Sequence, residues 1–192
     1  MDGLDRLRAT LRDAPVVDMG DYDYVVTPVT DGIPPVEPEL LREIATAVAE
    51  VADVEAADKI VAPEAMGIHH ATALSLETGT PFVVVRKRSY GLPGEVNVHQ
   101  ETGYAESELY VNYVDEGDRV VVVDDMFSTG GTLTAVCDAL ESIGADILDA
   151  VTVLSRGDPD PDLPTDLAHL LWIDLQDGKV VVREEPPADA GD

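Results

Sequence analysis

The chain is poor in cysteine, lysine and aromatic residues: one Cys, three Lys (Lys59, Lys87, Lys179) and only 5% Phe, Trp and Tyr in 192 residues. With Cys137 alone no intrachain disulfide can form, which points to a reducing compartment, and a lone thiol inside a helical pattern is expected as small core filler. No stretch approaches the roughly 18 uninterrupted apolar residues of a membrane span, and "MDGLDRLRATLRDAP" has charges at helical spacing with no secretory core. The expectation is a cytoplasmic protein without membrane contact. Basic residues number 12 against 39 acids, a net charge of −27. Phosphate-rich nucleic acid needs a basic stripe, so general nucleic-acid binding is not expected.

Two explanations of the acidity compete: an acidic partner-binding tail, or a surface adapted to concentrated salt, where self-repulsion is screened and hydration keeps the protein in solution. The acids run from end to end, which favours the second, a halophile's cytoplasm. At this length one well-buried domain is expected, spanning 1–185, with 186–192 ("PADAGD" preceded by Pro186) as a disordered acidic tail.

Alternation of strands with helices of ten to fifteen residues predicts an α/β fold: a mostly parallel central sheet flanked by helices. An opening helix near 3–12 is followed by a strand and an irregular crossing in "YDYVVTPVTDGIPPVEP", where four prolines forbid a long helix. "EPELLREIATAVAEVA" has helical apolar spacing. "DKIVAPEAMG" reads as strand and turn, "IHHATALSLETG" as a helix closed by Gly79, "PFVVVRKR" as the next strand. "VNVHQ" and "ELYVNYV" alternate as an antiparallel pair. "VVVVDDMFSTGGT" is a strand buried on both faces that ends in two carboxylates, then a small-residue loop and a helix stopping near Gly144. Short strands "LAHLLWIDL" and "KVVVREE" follow "DILDAVTVLSR".

In such a sheet, ligands bind at the carboxyl ends of the strands. Three strand ends carry polar or glycine-rich loops: Glu64–Gly67, Arg86–Arg88 and Asp124–Thr132. A small-residue loop at a helix N-terminus offers unpaired N–H groups and the positive dipole end to a phosphate, and Ser128, Thr129 and Thr132 add hydroxyls. Asp124 and Asp125 would repel phosphate, so they suit ligand hydroxyls or a divalent cation. Arg86, Lys87 and Arg88 are either a surface cluster paired with acids or a site for an anion. The lysine-bearing phosphate-loop pattern and GxGxxG are both absent, which disfavours nucleoside triphosphatases and dinucleotide enzymes. The four histidines, His69, His70, His99 and His169, match no zinc spacing and are expected in structural or surface roles.

"VVVVDDMFSTGGT" closely resembles the phosphoribosyl-pyrophosphate (PRPP) signature of type I phosphoribosyltransferases. The resemblance extends through "PEAMG", "VVVRKRSYGLPGE" and "GYAESELYVN", and with "DYDYVVTPVTDGIPPVEPELLREIA" it is to the archaeal hypoxanthine/guanine group, related to the adenine enzymes; about residues 15–155 are covered. It implies the type I fold with a small hood and a flexible antiparallel lid. It also implies transfer of phosphoribose from PRPP to a purine base in salvage, with hypoxanthine or guanine favoured over adenine. By the same resemblance, Asp124 and Asp125 bind the ribose hydroxyls, and Ser128, Thr129, Gly130, Gly131 and Thr132 the 5-phosphate. Glu64, Ala65, Met66 and Gly67, with Arg86, Lys87 and Arg88, line the pyrophosphate. Mg²⁺ is held mainly by PRPP near the acid pair, and the basic segment reaches a partner subunit's site in a homodimer. Met126 and Phe127, next to the aspartates, are the candidates to pack on the base ring, with at least one of the two expected in the core instead, and Pro34, Pro35 and Val36 of the hood are candidates for main-chain contacts to it. Gln100, Glu101, Gly103 and Tyr104 form the lid, with Glu101 as proton acceptor.

Two departures stand out. Bacterial and animal hypoxanthine/guanine enzymes carry an acid where Ser128 stands, and adenine-type enzymes have arginine where Met66 stands. The alternative class is a catalytically silent PRPP- or nucleotide-sensing regulator on the same fold.

Overall fold

The computed structural model describes residues 3–20, 22–101, 106–156 and 163–183, with side chains described outside 98–101 and 106–107. Everything is organised around β7 (Arg119–Phe127), whose valines explain its position. Val121 and Val123 pack into one hydrophobic cluster, and Val120 and Val122 into the other. All four are fully buried. A strand that is apolar on both faces must be covered on both faces.

The first face is covered by α1 (Asp5–Arg12), α3 (Pro38–Val51) and α4 (Gly67–Thr78), through Leu7, Leu11, Leu40, Ile44 and Leu74. The second is covered by α5 (Gly131–Ile143), through Leu133, Val136 and Leu140. Cys137 lies on α5, fully buried, and burial pushes its thiol up to about 12. It is core filler, as its helical setting suggested.

The sheet has the order β10-β9-β8-β7-β3-β4. β3 (Lys59–Pro63), β4 (Phe82–Val85), β7, β8 (Asp146–Arg156) and β9 (Leu167–Gln176) run parallel, and β10 (Lys179–Arg183) closes one edge antiparallel. Parallel neighbours put their carboxyl ends on one side, which brings the three loops together. A small β1–β2 sheet (Val16–Asp18, Asp23–Val25) forms the hood, and β5–β6 (Val96–Glu101, Glu106–Val111) a separate antiparallel pair. The pair is anchored where Arg86 bridges Tyr110 and where Leu109 and Val111 join the α5 cluster. Within the expected lid, Gly103 and Tyr104 lie outside the described residues, as does the tail 186–192.

Three local expectations change. The crossing after β2 contains a one-turn helix, α2 (Pro28–Asp31), where irregular chain was expected. Pro28 sits at its first position, where no N–H is needed, and the Thr27 hydroxyl accepts from the N–H groups of Val29 and Thr30, both at 3.1 Å. β7 does not end at the carboxylates: Met126 and Phe127 still pair with Leu154 and Ser155 of β8. β9 is ten residues long and joins β8 in parallel, so the late strands are part of the main sheet.

Ile60, fully buried in central β3, reports on this packing. Ile60→Ala is expected to cost about 2–5 kcal/mol of unfolding free energy in denaturant melts run in molar KCl.

Candidate active site

Glu64 joins two of the loops. Its Oε1 accepts the Lys87 backbone N–H at 2.7 Å and its Oε2 pairs with Arg86 Nε at 3.2 Å. Its own N–H donates to the Val85 carbonyl at 2.9 Å. The expected pyrophosphate loop and the basic strand end are therefore a single unit, with the Glu64 carboxylate holding the Arg86 guanidinium and the Lys87 main chain. Arg88 turns away to lie 5.1 Å over the exposed Tyr90 ring.

The third loop is tied in through Gly67. A Cβ on Gly67 would sit 3.1 Å from both Asp124 Oδ1 and the Val123 carbonyl, and 3.3 Å from Pro63 Cδ. Any side chain there would force α4 away from β7. Glycine allows the close approach that sets the 64–67 loop beside the acid pair.

Asp124 is only 7% exposed. Its Oδ1 accepts the Asp125 N–H at 2.9 Å. Burial, and then the neighbouring Asp125, raise the Asp124 carboxyl well above its ordinary value, while Lys87 acts in the opposite direction. Burial likewise raises Asp125, to about 6. Two adjacent carboxyls in low dielectric, opposed by one cation nearby, gain from any ligand that donates hydrogen bonds or brings positive charge. Among the described residues no group of three or more His, Cys, Asp or Glu is arranged to hold a metal by itself. The pair supplies two carboxylates toward a divalent ion, so the donor chemistry fits Mg²⁺ completed by ligand oxygens.

Beyond the pair, Ser128 and Thr129 are exposed, and Gly130 takes φ 79° before α5 begins at Gly131. The residue capping α5 has no side chain to occupy its first-turn N–H groups. A Cβ on Gly130 would meet Phe127 Cζ at 2.7 Å. The Phe127 ring, 3% exposed in the α5-side core, is the floor under this loop.

Of the two candidates for the base, Phe127 is the one that lies in the core. Neighbours on a strand face opposite ways, and Met126 alone turns to the ligand side. Met126 and Ser128 line a cavity of about 170 Å³ with Tyr22, Tyr24, Thr30, Arg156 and Ile173. Pro34, Pro35 and Val36 are absent from its walls; Pro34 and Pro35 line a separate depression beside α1, with Ala9 and Leu40. The hood reaches the cavity instead through Tyr24, whose hydroxyl donates to Asp31 Oδ1 at 2.8 Å. Asp31 Oδ2 accepts from Thr30 Oγ1 at 2.6 Å and from the Thr27 N–H at 3.0 Å. A larger groove of about 560 Å³ runs between α3 and α4, lined by Leu41, Ile68 and Leu76 together with Arg42, His69, Thr72 and Glu77.

Tyr24, Thr30 and Arg156 were not anticipated. Arg156 ends the strand beside β7, and the strand-end argument applied to it as well as to Arg86. The two hood tyrosines stand out in a chain so poor in aromatics. The side chains of Gln100 and the expected base Glu101 lie outside the described residues. Two of the histidines serve structure: His70 is buried with Nε2 3.3 Å from the Val29 carbonyl, and His169 Nδ1 lies 2.6 Å from Thr152 Oγ1, while burial takes His169 down to about 4.

The family model for the phosphoribosyl transferase domain matches residues 36–165. The chain belongs to the phosphoribosyltransferase family. The "HGPRTase-like protein 2" of Natrialba magadii is 56% identical over 94% of this phosphoribosyltransferase and all of that protein. The hypoxanthine/guanine phosphoribosyltransferase of Methanothermobacter thermautotrophicus is 55% identical over 95% of this chain and 96% of its own. Among solved structures, the adenine phosphoribosyltransferase of Thermoanaerobacter pseudethanolicus superposes with a TM-score of 0.74 at 26% identity, over 88% of this chain and 99% of that one.

The buried acid pair of this phosphoribosyltransferase costs it stability before ligand binds. For a carboxyl whose folded value is raised, the unfolded chain releases the proton first. Stability present below the ordinary value of 3.8 is therefore lost as pH rises through the raised folded value. Asp124→Asn keeps the acceptor for the Asp125 N–H and removes this loss. Its melting temperature should exceed that of the parent by more at pH 8 than at pH 4.

Proposed function

We propose that this enzyme is a purine phosphoribosyltransferase of salvage, transferring phosphoribose from PRPP to hypoxanthine or guanine, with adenine the second choice of base. The observation carrying the reading is the position of the cavity. It opens on Met126 and Ser128, directly after the carboxylates of the same strand, so a base there would lie against the ribose of a ligand held by Asp124 and Asp125. The hypoxanthine/guanine name of a relative 55% identical supports the choice of base.

In this reading Asp124 and Asp125 accept from the ribose 2- and 3-hydroxyls. Ser128 to Thr132 and the first-turn N–H groups of α5 hold the 5-phosphate. Glu64 to Gly67 line the pyrophosphate, with Arg86 and Lys87 opposing its charge and Arg88 at the rim. The ring nitrogen of the base attacks the anomeric carbon as the bond to pyrophosphate breaks, and the electron pair leaves with pyrophosphate. Arg86, oriented in advance by Glu64, stabilises that departure, with Lys87 beside it. Mg²⁺, when bound with PRPP, supplies further neutralisation of the leaving group. Ser128 cannot take the base's proton at neutral pH, so that part falls to Glu101, which the β5–β6 pair would bring over the site with Gln100, Gly103 and Tyr104 as a lid excluding water. The chain acts in the cytoplasm as a homodimer, the Arg86–Arg88 segment reaching the partner's site.

The test is an endpoint assay in molar KCl with Mg²⁺ and PRPP, offering hypoxanthine, guanine, xanthine, adenine and uracil separately and resolving products by chromatography. Inosine or guanosine monophosphate is the expected product. PRPP binding by calorimetry without turnover on any base would replace the enzyme reading by that of a PRPP sensor. In the same buffer, Asp125→Asn should bind PRPP at least ten-fold more weakly while its circular-dichroism spectrum is unchanged; equal affinity would remove Asp125 from the ribose site.

A further inference from the structure

We propose that His169 is a positioning residue for the phosphate-binding loop: its imidazole, fixed by the Thr152 hydroxyl, holds the Phe127 ring on which the 128–132 loop rests. The inference rests on the reading above that this loop takes the 5-phosphate, and it adds a residue outside the site on which that contact depends.

The chain of contacts starts at Gly130. A Cβ there would come within 2.7 Å of Phe127 Cζ and 3.2 Å of Cε2, so the loop backbone rests against the ring with no room for even a methyl group. A displacement of the ring is therefore passed to the loop. Ser128 and Thr129 are exposed, and Gly130 has no side chain, so the ring beneath is a support on which the height of the loop depends.

The next ring is His169, on β9. Its centroid lies 5.8 Å from that of Phe127 with the planes at 57°, inside the range of paired rings. On from His169 stands Trp172, 5.2 Å away and nearly perpendicular at 81°. Three rings thus run in series from the loop into the sheet.

The imidazole in the middle is locked. Its Nδ1 shares a hydrogen bond of 2.6 Å with Thr152 Oγ1, and both side chains are buried. β8 sets Thr152 opposite Asp124 on one side and opposite His169 on the other, so the pair ties two strands together beside the acid pair. Burial favours the neutral imidazole, which leaves the ring free of charge in these surroundings. Leucine would serve a core that needed only volume. A buried polar pair is costly until its hydrogen bond is made, and once made it fixes both side chains. A binding site needs that kind of support, because its donors must be held to within about 0.5 Å.

The experiment is calorimetry in molar KCl with Mg²⁺, titrating ribose 5-phosphate and pyrophosphate separately into the wild type, His169→Leu, Thr152→Val and Thr152→Ser. His169→Leu and Thr152→Val are expected to bind ribose 5-phosphate about five- to ten-fold more weakly, the worth of one buried hydrogen bond. Pyrophosphate affinity should not move. Thr152→Ser keeps the hydroxyl and should stay near the wild type. Unchanged ribose 5-phosphate binding in a folded His169→Leu would overturn the proposal. So would equal losses on both ligands, which would assign His169 to general packing of the sheet. Where neither weakened variant folds, the wild type decides: ribose 5-phosphate should alter the fluorescence of Trp172, the one tryptophan of the chain, and pyrophosphate should not. An unresponsive Trp172 would then overturn the proposal. A wild type that binds pyrophosphate but no ribose 5-phosphate would overturn the phosphate-loop reading itself, and this inference with it.

Discussion

The burial of β7 on both faces is the constraint from which the site follows. Four consecutive valines leave neither face of the strand to water, so a helical layer must cover each side, and the strand lies within the sheet with β3 and β8 as parallel neighbours. Parallel order then brings the carboxyl ends of β3, β4, β7 and β8 to one edge. The same burial carries past Val123 to Asp124, so the low dielectric that stabilises the sheet is the one that raises the acid pair. Stability and ligand affinity are opposed at these two residues. What burial costs the unliganded protein strengthens each interaction a ligand makes there.

Close approach does the rest of the assembly. Gly67 lets α4 sit against Asp124, and Gly130 lets the loop before α5 turn over the Phe127 ring. Glu64 couples the 64–67 loop to Arg86 and Lys87. These contacts are short in space and depend on one missing Cβ or one carboxylate. Changes at those positions are therefore expected to disturb the geometry of the site ahead of the fold.

The parts of the molecule legible in the sequence are those written in consecutive residues. "VVVVDD" announces a doubly buried strand with carboxylates, and "STGGT" before an amphipathic run announces an uncapped helix start; both are local patterns. The 170 Å³ cavity is not local. Its walls join Tyr24, Met126, Arg156 and Ile173, and Arg156 meets Asp23 across 133 residues of chain. No periodicity in either segment encodes that meeting. Phe127 is an intermediate case. The sequence led to one of Met126 and Phe127 being core; alternation along β7 read through to residue 127 would have placed them on opposite faces and told which. Among hood residues, Tyr22, Tyr24 and Thr30 line the cavity, and Pro34 and Pro35 line a depression beside α1.

The charge of the chain bears on how such a site can work at all. A protein of net charge −27 repels a polyanion such as PRPP over long distances. At 1 M salt the Debye length is about 3 Å, so the repulsion from distant surface acids disappears while contacts at hydrogen-bond range persist. Recognition then has to come from groups already in place. The acid-held Arg86, the N–H groups at the start of α5 and the closely packed 64–67 loop are of that kind, each held in place by the fold. Steering by net charge, which an ordinary phosphate-binding protein gains from a basic surface, is given up here. In its place stands a small set of preorganised donors inside an acidic shell, and concentrated salt, by screening the surface acids, lets an anionic ligand reach them.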